Sequence, residues 1–155
     1  NRLRNALDTI HNDYDYCIID CPPDIDMATV NALAAADWVI IPVDCDEWAM
    51  DGMDEIREQV DAIRDAYNPQ LEVMGVLATK YTRGRYSVDT INEIADMDLP
   101  AFRNPDNSIL RIDYSVKVKE AKARHLPVHK VCRNIKTSAQ YKTLAQLVKK
   151  CVEGE

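Results

Sequence analysis

Glycine is scarce in this chain: there are four in 155 residues, Gly52, Gly75, Gly84 and Gly154, and no two lie close together. A loop that cradles phosphates with its backbone N–H groups needs clustered glycines beside a lysine, and no G-K-T or G-K-S string occurs. These residues therefore hold no phosphate cradle of that kind. Aromatics are few too, 6% with one phenylalanine, which leaves no stacking platform for reading bases, and no zinc-finger or helix-turn-helix pattern replaces it. Long apolar runs are missing. The longest, around Ala32–Ala36 and Val39–Val43, fall well short of the roughly 18–20 residues that cross a bilayer. No C-x-x-C pair exists among Cys17, Cys21, Cys45, Cys132 and Cys151, and an odd number of thiols suits a reducing, cytosolic setting better than a disulfide framework. The start, Asn1-Arg2-Leu3-Arg4, has neither an initiator Met nor the apolar core of a signal peptide. The expectation is a non-secreted piece of a longer chain.

What is present is an ordinary globular composition, 46% hydrophobic and 29% charged, long enough for one domain with its own core. The net charge of −7 is unevenly spread. Residues 1–102 hold 7 Lys/Arg against 21 Asp/Glu, while residues 103–155 hold 12 against 5. A basic surface on an acidic body can meet a polyanion, although solvated helix faces give the same count.

Short β-branched runs alternate with helical patterns. Asn1–His11 reads as the end of a helix, with Leu3, Ala6, Leu7 and Ile10 at helical spacing. Tyr14–Asp20 (YDYCIID) reads as a buried strand stopped by Pro22-Pro23, Met27–Ala36 as an Ala-rich helix, and Trp38–Val43 as a strand covered on both faces. A helix over Ala49–Tyr67 carries the stripe Met50, Met53, Ile56, Val60 and Ile63 and ends at Asn68-Pro69. Leu71–Thr79 is a third strand. Ser87 is expected to cap a helix running to Asp96, and Ile109–Ile112 to form a short fourth strand. Val116–Arg124 is a basic helix, and Ser138–Val152 a terminal one that turns Tyr141, Leu144, Leu147, Val148 and Cys151 inward. Repeated strand–helix–strand units predict an α/β fold, a mostly parallel sheet with helices on both faces, as a single domain over 1–155.

Ligands of open parallel sheets gather at the carboxyl ends of strands. Asp20, Asp44 and Thr79 stand at such ends. An apolar strand ending in a carboxylate is how P-loop nucleotidases supply an outer ligand for Mg²⁺, and equally how many turns are capped. Cys17 and Cys21 have metal-ligand spacing only on a helix, and their segment reads as a strand. His125 and His129 are separated by Pro127, which speaks against one shared helix face, so they read as loop residues. No Ser/His/Asp or Cys/His catalytic set is recognisable.

The string from Tyr14 through Asp20 to Cys21-Pro22-Pro23 is followed by Asn31-Ala32-Leu33, Ala35-Ala36-Asp37 and Val39-Ile40-Ile41-Pro42-Val43. It resembles the Walker B and switch II region of the ParA/Soj partition ATPases, which have a deviant Walker A loop and group with MinD and the nitrogenase iron protein. The resemblance continues through Cys45, Ala49, Gly52 and Met53, through Asn68-Pro69, Leu71-Glu72-Val73, Gly75-Val76-Leu77 and Thr79, and through Ser115–Ala121 and Leu126-Pro127-Val128.

That resemblance implies an incomplete P-loop NTPase of the SIMIBI type, the part downstream of the phosphate loop, belonging to an ATP-dependent dimerising switch for plasmid or chromosome partition. Asp20 would hold a water of the Mg²⁺ shell, and Pro22 and Pro23 would open the switch that senses the γ-phosphate. Residues 42–53 would lie near the dimer interface. Thr79 and Lys80 would border the base and residues 112–115 close over it, with Asp113 standing where relatives carry Pro. Asp24 and Asp26 add negative charge just after the switch prolines. ATP and Mg²⁺ would be cofactors of the longer parent, the 155 residues alone being apo and inactive. Non-specific DNA would be met by Arg83 and Arg85 and by Lys117, Lys119, Lys122 and Arg124, with Lys130, Arg133 and Lys136 nearby. Further partners would be a second copy and a ParB-like adaptor, in the cytoplasm on the nucleoid. The strand preceding Walker B in the family would leave Ile18 and Ile19 with an open edge, so self-association is expected.

Two alternatives stand beside this. A MinD-like membrane ATPase would end in an amphipathic helix with bulky apolar and cationic residues, whereas Lys149–Glu155 ends acidic, so no membrane is expected. A non-catalytic binding or dimerisation module would keep the fold without any phosphate loop.

Overall fold

The computed structural model describes residues 2–22 and 26–154. They divide into two compact units, one of residues 1–39 and 51–72 and the other of residues 40–50 and 73–155.

The first unit is helical: α1 (Arg2–Asp8), a 3₁₀ turn (His11–Asp13), α2 (Met27–Ala35) and α3 (Met53–Ala66). Helix α2 packs against both α1 and α3. Its start is fixed by Asp26, whose carboxylate accepts the N–H groups of Ala28 at 2.8 Å and Thr29 at 3.0 Å, satisfying donors that the first helical turn leaves open. Its end is held by two neighbours. Arg4 donates to the Ala34 carbonyl through Nε and Nη2, and the buried Asn68 amide donates to the carbonyls of Leu33 at 3.0 Å and Ala36 at 2.6 Å. Arg64 closes the turn after α3 by donating to the Leu71 carbonyl at 2.8 Å.

Two expectations change here. The helix predicted from Ala49 begins only at Met53, because Gly52 sits at φ +83°, a left-handed conformation that ends the preceding turns and starts α3. Met53, Val60 and Ile63 of the predicted stripe are buried. The larger correction concerns Tyr14–Asp20, which is neither buried nor a strand: residues 14–22 are irregular, and Ile18 is 93% exposed. A β-branched run becomes a strand only when a neighbouring strand takes up its N–H and C=O groups, and sequence preference alone does not supply that ladder.

The second unit is built on three strands in the order β1 (Trp38–Asp44), β2 (Glu72–Tyr81), β3 (Arg111–Asp113), the first two residues of β1 and the first of β2 falling in the other unit. Strands β2 and β3 are parallel, with Ala78 opposite Arg111 and Tyr81 opposite Asp113. One extra residue on β2 between these pairs is a bulge, and within it Lys80 adopts φ +51°. Beside β2, the Cys45 N–H donates to the Thr79 carbonyl at 2.8 Å. The predicted fourth strand is shorter and shifted, with Ile109 in an isolated antiparallel bridge to Arg103 and β3 starting at Arg111.

Leu77, Phe102, Leu110 and Ile112 form the core of this unit, and Ile40, Met74, Leu144, Leu147 and Val148 pack on it. Such burial contributes about 25 cal/mol per Å² of apolar surface removed from water. Gly75 allows the close approach, because a Cβ there would lie 3.1 Å from the Phe102 ring and 3.3 Å from its backbone nitrogen. Around the sheet are α4 (Arg85–Asp96), α5 (Val116–Ala123), α6 (Val128–Val131) and α7 (Lys136–Glu153). Helix α7 packs against β3 and ends at left-handed Gly154. Of the residues expected to face inward, Leu144, Leu147 and Val148 do, whereas Tyr141 and Cys151 are exposed. Pro127 precedes α6 as its N-cap, so His129 is helical and His125 sits in a left-handed turn. Ser87 does not cap α4: Gly84 does, and Ser87 is buried within the first turn.

Candidate functional site

The carboxyl ends of β1 and β2 bring Asp44, Thr79 and Lys80 together. Thr79 Oγ1 lies 2.5 Å from Asp44 Oδ1 and 3.2 Å from the Val43 carbonyl. The Lys80 ammonium pairs with Asp44 Oδ2. The bulge and the left-handed backbone turn the Lys80 side chain onto β1. Partial burial pushes the Asp44 carboxyl up, but the hydrogen bonds from Lys80 and Thr79 and the Lys80 charge outweigh it and hold the group below the usual carboxylate range. Lys80 is raised in return, first by its hydrogen bond to Asp44 and then by that charge. The next residue, Cys45, is buried, and desolvation followed by the Asp44 charge pushes its thiol up to about 11. Ser87 Oγ donates to the Cys45 carbonyl at 3.2 Å and accepts the Thr82 N–H at 3.1 Å, pinning the start of α4 to the end of β1.

Asp113 ends β3 in the same row of strand tips. Its N–H donates to Gln140 Oε1 at 3.0 Å, and its Oδ2 is 2.7 Å from Lys136 Nζ. Burial raises its carboxyl, and Lys136, Gln140 and Arg111 bring it below the ordinary value. The Arg111 guanidinium lies 3.9 Å from the centre of the Tyr81 ring, and Tyr114 N–H donates to the Tyr81 carbonyl at 2.8 Å. The structure thus gathers Thr79, Lys80 and Asp113 at neighbouring strand ends. The Asp113 carboxylate is committed to Lys136 on α7.

Asp20 lies in the first unit, exposed, on the irregular segment 14–22. Pro22 is exposed next to it, and Pro23 lies outside the described residues. Partial burial, then the Asp20 and Asp26 charges, raise the Cys21 thiol. Among the described residues no group of three His, Cys, Asp or Glu side chains could hold a metal ion.

The cations predicted to meet DNA differ in their freedom. Lys117 Nζ is bound to both oxygens of Glu120 at 2.8 and 2.9 Å, which raises its pKa. Arg85 pairs with Asp89 at 3.5 Å, and the Lys119 ammonium lies 5.4 Å from the centre of the Tyr114 ring. Arg83, Lys122 and Arg124 are exposed and make no ion pair among the described residues. Sequence reasoning missed the double role of Ser87. Its signal, a Ser five residues after Thr82 beside a glycine, is indistinguishable in sequence from an N-cap.

Known proteins bear on this geometry. A family model described as an AAA domain matches residues 1–73. The chromosome partitioning protein ParA of Caulobacter vibrioides is 35% identical over 129 residues, 82% of this chain and 47% of that protein. The sporulation initiation inhibitor protein Soj of Bacillus subtilis is 38% identical over 94 residues, 60% of this chain and 37% of that protein. Cobyrinic acid a,c-diamide synthase from Mycobacterium smegmatis, solved with bound ADP and magnesium, superposes with a TM-score of 0.76 at 28% identity, covering 99% of this chain and 54% of that one. No helix among the described residues is long and apolar enough to cross a membrane. The chain spans under half the length of these two curated relatives. On this evidence it belongs to the ParA-like ATPases, with their α/β fold.

Proposed function

We propose that this chain is the Walker B and base-proximal part of an ATP-dependent dimerising switch for DNA partition. The observation that carries the reading is the ordered match to ParA over 129 residues, supported by the meeting of Thr79, Lys80 and Asp113 at adjacent strand tips. The synthase likeness supports a nucleotide-binding fold, and the ParA and Soj relatives, at higher identity, favour partition chemistry.

The residues present fit part of a Mg²⁺-nucleotide. Asp20 is an exposed, hard oxygen donor, suited to an ion that keeps most of its waters. Thr79 and Lys80 offer a hydroxyl and an ammonium beside the Asp113 end of β3, where a base would lie. The phosphates find no cradle among these residues, because the glycine-rich lysine loop is absent from the sequence. When bound, Mg²⁺ would neutralise phosphate charge. Asp20 would orient a water in its shell, and Pro22 and Pro23 would set the path of the segment that follows. DNA contact would fall to Arg83, Lys122 and Arg124 first, since Arg85 and Lys117 must leave carboxylates to reach a phosphate. Such binding neutralises phosphates without reading bases. A second copy and a ParB-like adaptor complete the reading.

Isothermal titration of MgATP into the 155-residue chain should show no micromolar binding. In a longer protein containing a K-G-G-x-x-K-T-like loop, Asp20→Ala should impair Mg²⁺-dependent hydrolysis while leaving the fold intact. Unchanged turnover would remove Asp20 from the mechanism. Fluorescence anisotropy with unrelated duplexes should show affinities that fall steeply with salt and differ little with sequence.

A further inference from the structure

Charge and exposed apolar surface are segregated in a complementary way. The first unit holds 4 Lys/Arg against 14 Asp/Glu, a net −10, whereas the second holds 15 against 12, a net +3. In the first, Tyr14 is 68% and Ile18 93% exposed, in a stretch that also carries Asp13, Asp15 and Asp20. In the second, Tyr114, Val116 and Leu126 are exposed among Lys119, Lys122 and Arg124. We propose that the acidic, apolar segment 14–20 of one copy docks on the basic, partly apolar α5 surface of a second copy, without nucleotide.

Each surface carries what the other lacks. Burying Ile18 removes apolar area from water, while the carboxylates around it meet cations that have no partner in their own chain. The contact joins two different surfaces, so it does not close on itself and builds chains of copies rather than a symmetric pair. It uses Lys122 and Arg124, as DNA would, so the two compete. The contact itself does not rest on the DNA reading.

Sedimentation of the 155-residue chain tests it. At about 20 mM salt the weight-average mass should climb with concentration, and at about 0.3 M salt it should return to that of the monomer. Ile18→Ser, at a site too exposed to affect folding, should raise the midpoint of association about tenfold. A chain with Asp13→Lys and Asp15→Lys, and another with Lys119→Glu and Lys122→Glu, should each stay monomeric alone and associate when mixed. A monomer under all conditions would overturn the proposal. So would association that survives the charge reversals, that mixing does not restore, or that requires MgATP. If duplex DNA fails to bind while the charge-swap pair still associates, only the DNA reading falls.

Discussion

Two runs of this chain are nearly the same in kind and opposite in fate. YDYCIID and WVIIPVD are both seven residues long, rich in isoleucine and terminated by aspartate. The second becomes β1, with Ile41 and Val43 buried and Asp44 tied to Thr79 and Lys80. The first is irregular and leaves Ile18 in solvent. Composition does not separate them. The difference is that β2 lies beside β1 and takes up its backbone groups, so the contrast teaches that strand character belongs to the ladder rather than to the run.

The largest consequence is in stability. Ile41→Ala should cost about 2–5 kcal/mol through lost burial and the cavity left behind, while Ile18→Ala should stay within about 0.5 kcal/mol. Urea unfolding measures both, and equal costs would erase the distinction between the runs. Thiol chemistry comes next. With its thiol raised to about 11, Cys45 should react with iodoacetamide at neutral pH about a hundredfold more slowly than exposed Cys17. Mass spectrometry of the time course would show it, and comparable rates would mean that the end of β1 opens readily.

Smaller is the contrast between the terminal carboxylates. Asp44→Ala should cost about 1 kcal/mol, a modest figure because Lys80 is largely exposed. Asp20→Ala should leave the unfolding midpoint unchanged. Smallest is the pH effect. The folded carboxyls of Asp44 and Asp113 are held below their ordinary value, so their contribution is full above the unfolded carboxylate pKa of about 4 and is lost as pH falls through the lowered values. Asp44→Asn with Asp113→Asn should therefore flatten the acid limb of stability below about pH 4 and leave neutral pH behaviour alone.

Much of this was readable beforehand. Val39–Val43 and Gly75–Thr79 announced their strands by continuous apolar character, and Met53, Val60 and Ile63 gave their helix by spacing. The strand-end positions of Thr79 and Asp44 followed from the same runs. Three things were not legible. The register slip that turns Lys80 onto Asp44 depends on how β2 meets β3, which no local pattern encodes. The tie between Asp113 and Lys136 joins residues far apart in sequence. The irregular path of residues 14–22 reflects the lack of a neighbouring ladder, which a single run cannot report.

The side-chain amide of Asn68 serves both the Leu33 and Ala36 carbonyls, so converting it to a carboxylate would set acceptor against acceptor at the end of α2. Asparagines commonly age that way when the nitrogen of the following residue attacks the side chain to form a cyclic imide. Here that nitrogen belongs to Pro69 and carries no hydrogen to give up. The link is thereby protected from slow deamidation, and the first unit keeps its fastening through the working life of the protein.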